Sequence, residues 1–452
     1  YRSDFLVRDP LLFETALIGV EPTTQLPATV TAISLGTSGG ETTQFDGFTV
    51  FGANAANLTG GNSYGIYMLN CGEQLQISNN RVFGGAGGFG QSGVPGADGL
   101  DGTVGSPGSN AVDLNKFTSN GNRFCTETDW LPGGNGGQVT CGDGAVVTGG
   151  NGGTAACPAF GSAPISEMSG GVGTGPSGSG GAAGYASTIN SNTDCGFCGV
   201  PANATVGGLG LTGNTGTEGP AGNGCSSAGG IVAGQWQGGS GAPGGVGGHG
   251  GGGGGGGAGG GVAIVGKLCI GDGVEVDIGG NDLGGAGGGG GSGGCAGTGG
   301  TGGTAGGGSF GIFMVYTNPA ASLPNVSGNI IRGGTGGPGG SGGPGGAGGN
   351  GGAGAAGGDS GEDELQTFCA KPGGPGGSGG AGGHGAGGGG GCGGASYGLY
   401  VFKAGGPQPL DDLKTQNSFL PGGTGGIGGP GGSSPGQSGD LGSAGAAANT
   451  NF

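Results

Sequence analysis

The chain has 452 residues, of which 145 are Gly and 23 are Pro, and it carries a net charge of −17 with only 8% charged residues. So much glycine excludes one large aliphatic core and, with it, most familiar enzyme folds. Scattered basic residues predict no nucleic-acid partner, and the lack of a long apolar run predicts no membrane insertion.

The N-terminal segment differs from the rest because it is dense in apolar side chains. Asp9 followed by Pro10 is typical of a short helix start, with Asp as N-cap and Pro in the first turn. We expect residues 1–44 to form either a cap over the first structural repeat or an arm that docks on a neighbouring subunit. The candidate arm residues are Phe5, Leu6, Leu11, Leu12 and Phe13.

A pair of short β-rich runs recurs along the chain. The first run reads Ser63-Tyr-Gly-Ile-Tyr-Met, and its copies begin at Ser309 and Ser396. The second run, as in 75–85, carries an Asn shortly before its last apolar residue and leads into a Gly-Gly pair. A looser copy spans 262–285. An internal repeat with insertions of unequal length predicts stacked structural units.

Long glycine tracts separate these runs and keep a period of three residues. From Gly333 to Ala353 every triplet reads Gly-Gly-X, and from Gly84 to Gly108 every third residue is Gly. This period indicates an extended helix of the polyproline-II type, whereas flexible linkers need no phase. A second glycine per triplet has no use in collagen, but it lets helices without Cβ atoms lie side by side. We therefore predict an ordered bundle, with one-glycine tracts on its rim.

The β-rich runs of 40–85 resemble the right-handed parallel β-helix (pectate-lyase-like) family, whose coils are short strands of the types G-F-T-I, G-I-Y-L and I-x-N-N-x-I with Asn at the corners. The glycine tracts resemble those of phage tail-tip adhesins, snow-flea antifreeze proteins and PE-PGRS proteins. Together the resemblances imply an all-β or irregular fold with almost no α-helix. A short right-handed parallel β-helix would carry a long polyglycine-II bundle inserted between its coils.

The predicted organisation follows the order of these segments. If every tract leaves from the same corner of the coils, 333–358 runs outward and 372–394 returns, reaching about 80 Å at 3.1 Å per residue. The predicted boundaries are 1–44 for the arm or cap, 45–85 for the first coils, 86–261 for glycine-rich insertions with weak coils and cysteine-rich loops, 262–423 for further coils at 262–285, 309–334 and 396–423 with glycine hairpins between them, and 424–452 for a glycine-rich tail.

The 11 cysteines predict structural disulfides, because an extracellular chain with a poor aliphatic core uses them as staples. We expect an extracellular or cell-surface location with a signal peptide already removed. Spacing does not reveal the pairing, and the odd count leaves one thiol unpaired or intermolecular. The candidates are Cys71, Cys125, Cys141, Cys157, Cys195, Cys198, Cys225, Cys269, Cys295, Cys369 and Cys392.

No constellation of side chains predicts catalysis, a metal site or a cofactor. Cys195-Gly-Phe-Cys198 lacks the second pair that a zinc site would use. The two histidines, His249 and His384, lie in glycine tracts and are expected to be exposed. No EF-hand loop is present among the aspartates.

Three non-enzymatic functions fit this pattern. The leading prediction is the repeating subunit of a self-assembling surface fibre whose partner is itself, head to tail, because open β-helix ends offer unpaired strand edges. An adhesin or receptor-binding tip that contacts a cell surface or glycan is the alternative, and an ice-binding surface is the lesser one. The candidate tip-loop residues are Asp359, Glu362, Asp363, Glu364 and Phe368.

Overall fold

The described part of the chain is almost entirely β-strand and irregular structure, with one short helix at Asp411–Thr415, as expected. Glycine destabilises a helix interior by about 1 kcal/mol per residue, which leaves little of this chain able to form one. The computed structural model describes residues 14–20, 28–37, 42–114, 129–156, 180–181, 187–190, 204–227, 229–265, 267–270, 274–277, 280–317, 322–362, 369–404 and 410–452.

Three parallel sheets form a stack of coils, which we call the coil stack. Sheet A has the order β1 (Ala16–Ile18), β4 (Thr49–Phe51), β7 (Arg81–Phe83), β22 (Ile330–Arg332) and β26 (Ser418–Phe419). Sheet B has the order β2 (Ala28–Ile33), β5 (Ser63–Leu69), β20 (Ser309–Tyr316), β25 (Ser396–Lys403) and β27 (Ala447–Thr450). Sheet C contains β3 (Thr43–Asp46), β6 (Leu75–Ser78) and β21 (Asn325–Ser327), and helix α1 (Asp411–Thr415) follows β25 along the chain.

The other strands lie outside the coil stack. One sheet joins β8 (Val112–Leu114), β13 (Ser187–Asn190), β16 (Val262–Val265) and β19 (Gly280–Leu283). Two-stranded antiparallel pairs are formed by β9 (Trp130–Leu131) with β12 (Ala155–Ala156), β10 (Gln138–Thr140) with β11 (Val146–Thr148), β14 (Gly230–Val232) with β15 (Gln235–Gln237), β17 (Lys267–Ile270) with β18 (Val274–Asp277), and β23 (Gly361–Glu362) with β24 (Cys369–Ala370).

The looser repeat copy at 262–285 does not join the coil stack. Its strands β16 and β19 pair antiparallel with each other, and β17 and β18 form a hairpin between them. The expectation of a coil at 262–285 is therefore wrong. The segment lacks the Ser-aromatic-Gly start of the other copies, and its short connections favour antiparallel pairing.

The three clear repeat copies lie in register in sheet B. Ser63, Ser309 and Ser396 are Cα partners across β5, β20 and β25. The glycine two residues later marks a change of face, because Tyr64 packs outside the sheet and Ile66 packs inside it. A Cβ at this glycine would meet the backbone of the next coil, so the repeated aromatic-Gly-aliphatic order has a steric cause.

The interior of the coil stack combines aliphatic layers with a column of amides. Ile66, Ile312 and their neighbours are fully buried in one core. Beside them Asn80 donates from Nδ2 to Oδ1 of Asn329 at 3.0 Å, and Asn329 donates in the same way to Asn417 at 2.9 Å. Each buried amide is thereby satisfied by the coil next to it, which locks the coils in register.

The outer face of sheet B carries aromatic rings covered by the hairpin β14–β15. Tyr64 stacks on Phe310 with ring centroids 5.4 Å apart, and Trp236 of the hairpin packs against them. The amide of Trp236 donates to the Tyr64 hydroxyl at 3.1 Å, and Asn62 donates to the Trp236 carbonyl at 2.7 Å. Burial raises the pKa of Tyr64 well above its ordinary value.

All long insertions leave the coil stack at one corner, after a sheet A strand and before a sheet B strand. Serine hydroxyls hold this corner. Ser309 Oγ donates to the Gly85 carbonyl at 2.6 Å and accepts from the Gly334 amide at 2.9 Å. Ser396 Oγ donates to the Gly334 carbonyl at 2.6 Å. The glycine tracts therefore start next to one another.

Beyond the corner the glycine tracts lie side by side, and we call them the glycine bundle. Their backbone hydrogen bonds recur at every third residue. In the central tract 284–308, Gly291 donates to Gly377 at 3.0 Å and Gly294 donates to Gly380 at 2.9 Å. The period of the sequence is thus also the period of main-chain pairing. The tracts are 84–109, 204–225, 238–261, 284–308, 333–358, 372–394 and 423–446.

Close approach of backbones explains why the inner positions are glycine. A Cβ added at Gly294 would overlap the carbonyl oxygen of Gly349, and one at Gly349 would overlap the carbonyl of Leu100. The third residue of each triplet points away from such contacts, as exposed Ala353 does. Exposed third positions carry a range of side chains, whereas buried third positions carry small ones such as Ser292 and Ala386.

Candidate functional site

The first coil, built from β1, β2 and β3, covers its inward side chains less well than the next coil does. Val30 is half-buried, whereas its register partner Ile66 is fully buried. Phe45 is likewise half-buried, whereas its partner Ile77 is 2% exposed. The core of the coil stack is therefore partly open at this end.

The same end presents strand edges. Among the described strands, β1 pairs with β4, β2 with β5 and β3 with β6, so each has a partner on one side. The opposite end differs, because α1 follows β25 where the earlier coils have their sheet C strand, and its Leu413 is buried in the core. Strand edges that no described strand covers, beside half-buried apolar side chains, make the first coil a surface that a further coil could extend.

An apolar row runs over the outer face of sheet A at this end. Ile18, Phe51 and Phe83 are register partners, and the two phenyl rings stack at 5.2 Å. Ile18 is 72% exposed and Phe51 is 40% exposed. Arg81 lies beside the row, with its guanidinium 3.9 Å from Glu14. Together with the open first coil, this row is the candidate assembly interface.

Of the segment 1–44 that the sequence predicts as an arm or cap, β1 and β2 belong to the first coil, whereas the candidate arm residues lie outside the described residues. This holds for all five candidates, Phe5, Leu6, Leu11, Leu12 and Phe13. The sequence predicts open coil ends but not the side chains at them, because the exposure of Val30 or Phe45 depends on which coil is outermost. The sequences of their strands have the same pattern as those of buried coils, so no local signal distinguishes an outermost coil from an inner one.

The predicted tip loop lies at the far end of the glycine bundle, where tract 333–358 ends. Asp359 is exposed, and its amide donates to Oδ1 of Asn110 at 3.0 Å, which ties two outgoing tracts together. Glu362 lies on β23 with its side chain outside the described part. Asp363, Glu364 and Phe368 are also outside it.

The described cysteines form two disulfides. Cys141–Cys295 joins the hairpin β10–β11 to tract 284–308, and Cys225–Cys392 joins tract 204–225 to tract 372–394. They point to an oxidising, extracellular environment. Cys71 is a free thiol buried in the coil stack, with its Sγ 3.3 Å from the Ala32 carbonyl oxygen. The prediction that Cys71 forms a disulfide is therefore wrong. Burial raises its pKa. Outside the described side chains lie Cys125, Cys157, Cys195, Cys198, Cys269 and Cys369.

A polar cluster surrounds the first of these disulfides. The Sγ atoms of Cys141 and Cys295 and one ring nitrogen of His249 all lie within 4.8 Å of one another. His249 accepts from the Ala296 amide at Nδ1, and its Nε2 lies 3.0 Å from Oδ2 of Asp143. The amide of Ala145 and then His249 lower the pKa of Asp143.

The histidines differ from the exposed residues that the sequence predicts. Both are half-buried, and each accepts a backbone amide at Nδ1 at 3.0 Å, from Ala296 for His249 and from Gly348 for His384. Only His249 has cysteines beside it within the described clusters. The sequence reading missed this group because the three-residue phase does not reveal which tracts are neighbours.

A shallow groove of about 290 Å³ lies beside the aromatic face, between the loop around Leu58 and the hairpin β14–β15. Its lining includes the amides Asn62, Gln235 and Gln237 and the largely buried Trp236. It brings together none of the sequence-predicted site residues.

No protein-family model, no curated protein and no solved structure matches this chain. Among the described residues, no helix has both the length and the apolar character needed to cross a membrane.

Proposed function

We propose that this protein is a non-enzymatic extracellular structural protein, the repeating subunit of a self-assembling surface fibre. In this proposal the coil stack is a short right-handed parallel β-helix and the glycine tracts form a polyglycine-II bundle that stiffens it. Subunits join head to tail through the ends of the coil stack.

The observation that carries the proposal is the open first coil. Leu17, Val30 and Phe45 are half-buried on strands whose outer edges no described strand covers. A coil from a neighbouring subunit would pair with those edges and bury these side chains. Such a contact joins two different surfaces and need not close, so it generates filaments rather than a dimer. Fully burying one aliphatic side chain contributes about 1.5–3 kcal/mol.

The geometry of the corner supports the same arrangement. Because tracts leave at one corner of successive coils, the glycine bundle grows in the same direction as the coil stack. At the open end the first two coils have only short connections at this corner, 19–27 and 52–62, so the long tracts begin further along the coil stack. At the other end β26 and β27 offer the edges of sheets A and B, while α1 follows sheet B in place of a fourth sheet C strand.

Light scattering and electron microscopy of purified protein test this proposal. We expect the wild type to form polymers and Val30→Glu to disperse them, because a carboxylate would be buried at the joint. Thr31→Glu is the matched control, since exposed Thr31 is the next residue on the same strand. A wild type that stays monomeric at every concentration contradicts the proposal, as does equal polymerisation of the two variants.

An adhesin is the second candidate, supported by the far end of the glycine bundle. The outgoing tracts are tied there by Asn110 and Asp359, and β8, β16, β19, β23 and β24 lie directly at tract ends. A stiff stalk would hold these strands away from the coil stack. Replacing 362–369 by a Gly-Ser loop should abolish binding to a cell or glycan surface while polymerisation persists. Unchanged binding contradicts this role.

A further inference from the structure

We propose that the groove between the loop around Leu58 and the hairpin β14–β15 binds a neutral sugar residue of a glycan. Its volume of about 290 Å³ is near the lower end for ligand sites in proteins, which suits a single sugar ring. None of the residues that line it is ionisable. A charged group would lose water there without gaining an ionic partner, so the lining favours an uncharged, polar ligand.

Two side-chain amides on strand β15 can recognise such a ligand. Gln235 and Gln237 flank Trp236, whose ring packs against the aromatic face of sheet B. Gln235 is half-buried and Gln237 is exposed, and neither side chain makes a hydrogen bond within the described part of the chain. An amide offers a donor and an acceptor together, and neighbouring hydroxyls of a sugar ring offer the same pair. Each glutamine can therefore hold two adjacent hydroxyls.

The lining also contains apolar surface for the C–H groups of a sugar ring. Val232, the register partner of Gln235, is 57% exposed, and Leu58 on the other wall is half-buried. Thr59, next to Leu58, adds an exposed hydroxyl. Apolar surface with a few polar groups is the usual composition of a small-molecule site.

A peptide strand is a poorer match for the groove than a sugar. It would pair with free main-chain groups at the outer edge of β15. The amide of Trp236 at this edge already donates to the Tyr64 hydroxyl at 3.1 Å, and the carbonyl of Trp236 accepts from Asn62 at 2.7 Å. Recognition in the groove therefore depends on side chains, as the binding of a sugar does.

The walls of the groove are held in place before any ligand binds. Asn62 Oδ1 accepts the Gly308 amide at 2.8 Å while its Nδ2 binds the hairpin, and the Tyr67 hydroxyl donates to the Gly234 carbonyl at 2.9 Å. Ala233, which lines the groove beside Gly234, has a φ of 49°, a left-handed conformation that is strained for a residue with a side chain. Such strain is common at binding sites, and fixed walls lower the entropic cost of binding.

The groove is separate from the proposed joint between subunits. Leu17, Val30 and Phe45 are not part of its lining, so sugar binding does not depend on the proposed fibre. The loop replacement at 362–369 likewise tests a different surface. If the fibre forms, each subunit carries one groove, and many weak sites along a filament together give strong attachment to a surface that displays repeated glycans.

Saturation-transfer NMR on the full chain tests the proposal, with glucose, galactose, mannose, fucose and N-acetylglucosamine as neutral probes and glucuronate as the charged one. We expect saturation transfer to at least one neutral sugar and none to glucuronate. Gln235→Ala/Gln237→Ala should weaken the affinity for that sugar at least tenfold, because both amides are lost. Gln138→Ala, at an exposed glutamine of the hairpin β10–β11, is the matched control and should bind as the wild type does.

Thr59→Trp provides a second variant, because a large side chain at this exposed position would fill the groove and abolish saturation transfer. Circular dichroism verifies the fold of each variant before the measurement. Any of three outcomes overturns the proposal. These are no transfer to any of the neutral sugars, equal or stronger transfer to glucuronate, and an unchanged affinity in Gln235→Ala/Gln237→Ala.

Discussion

The coil stack and the glycine bundle are held together by different interactions. In the coil stack, large side chains such as Phe310 and Ile312 are fully buried and hold the coils together. In the glycine bundle the inner positions carry no side chain, and backbone amides and carbonyls of neighbouring tracts pair directly, as Gly294 does with Gly380. One region is stabilised by apolar burial, the other by main-chain hydrogen bonds made possible by missing Cβ atoms.

The stability of the two regions should therefore respond in opposite ways to a change in side-chain size. Removing atoms from the coil stack leaves cavities in a close-packed core. Adding atoms to the inner tracts forces backbones apart and breaks hydrogen bonds that pair in rows. The same protein is therefore sensitive to large-to-small changes in one half and to small-to-large changes in the other.

The largest effect should follow Gly294→Val. The new side chain would overlap the Gly349 carbonyl and separate tracts 284–308 and 333–358. We expect a loss of more than about 5 kcal/mol in the free energy of unfolding, measured by denaturant titration. Ala353→Val, at an exposed third position of the neighbouring tract, should change stability by less than about 0.5 kcal/mol. Similar losses in both variants would contradict backbone-to-backbone packing.

The reverse change should damage the coil stack. Phe313 is fully buried on the outer face of sheet B, between Tyr67 and Tyr400. Phe313→Ala should cost about 3–5 kcal/mol by lost contacts and a cavity, read from the same titration. Phe313→Leu keeps most of the volume and should cost less. If Phe313→Ala has no larger effect than Phe313→Leu, the aromatic layer is not a packed core.

A small effect should follow loss of one hydroxyl in the bundle. Thr301 Oγ1 accepts the Val94 amide at 2.6 Å, and Thr301→Val keeps the shape but removes this acceptor. We expect a cost of about 1 kcal/mol, and faster hydrogen exchange at the Val94 amide than in the wild type. Unchanged exchange at Val94 would show that this side-chain bond does not hold the rim tract in place.

Several features of the fold could be predicted from the sequence because their cause is local. The Ser-aromatic-Gly copies at Ser63, Ser309 and Ser396 do stack, since each repeats the same change of face at its glycine. Parallel sheets and near absence of helix follow from the β-rich runs and the glycine content. The column formed by Asn80, Asn329 and Asn417 also has a local signal in the sequence, because each copy carries its Asn shortly before the last apolar residue.

The candidate interface and the cysteine–histidine cluster could not be predicted in the same way. Val30 has the same pattern as Ile66, and only its place in the outermost coil leaves it half-buried. Cys141 and Cys295 are 154 residues apart, and His249 lies between them in the sequence without any spacing signal. The expectation of a coil at 262–285 failed for a related reason, because short apolar strands can pair in parallel or antiparallel orientation.

The order of residues by itself determined that the glycine would be ordered with a period of three, and that the β-rich runs would stack at a common corner. Both are properties of one segment and its immediate neighbours. Tertiary structure alone decided which tract lies beside which, which cysteines meet and which coil is left open. The physical reason is that main-chain pairing between glycine tracts does not depend on side-chain identity, so many arrangements satisfy it equally and only the whole assembly selects one.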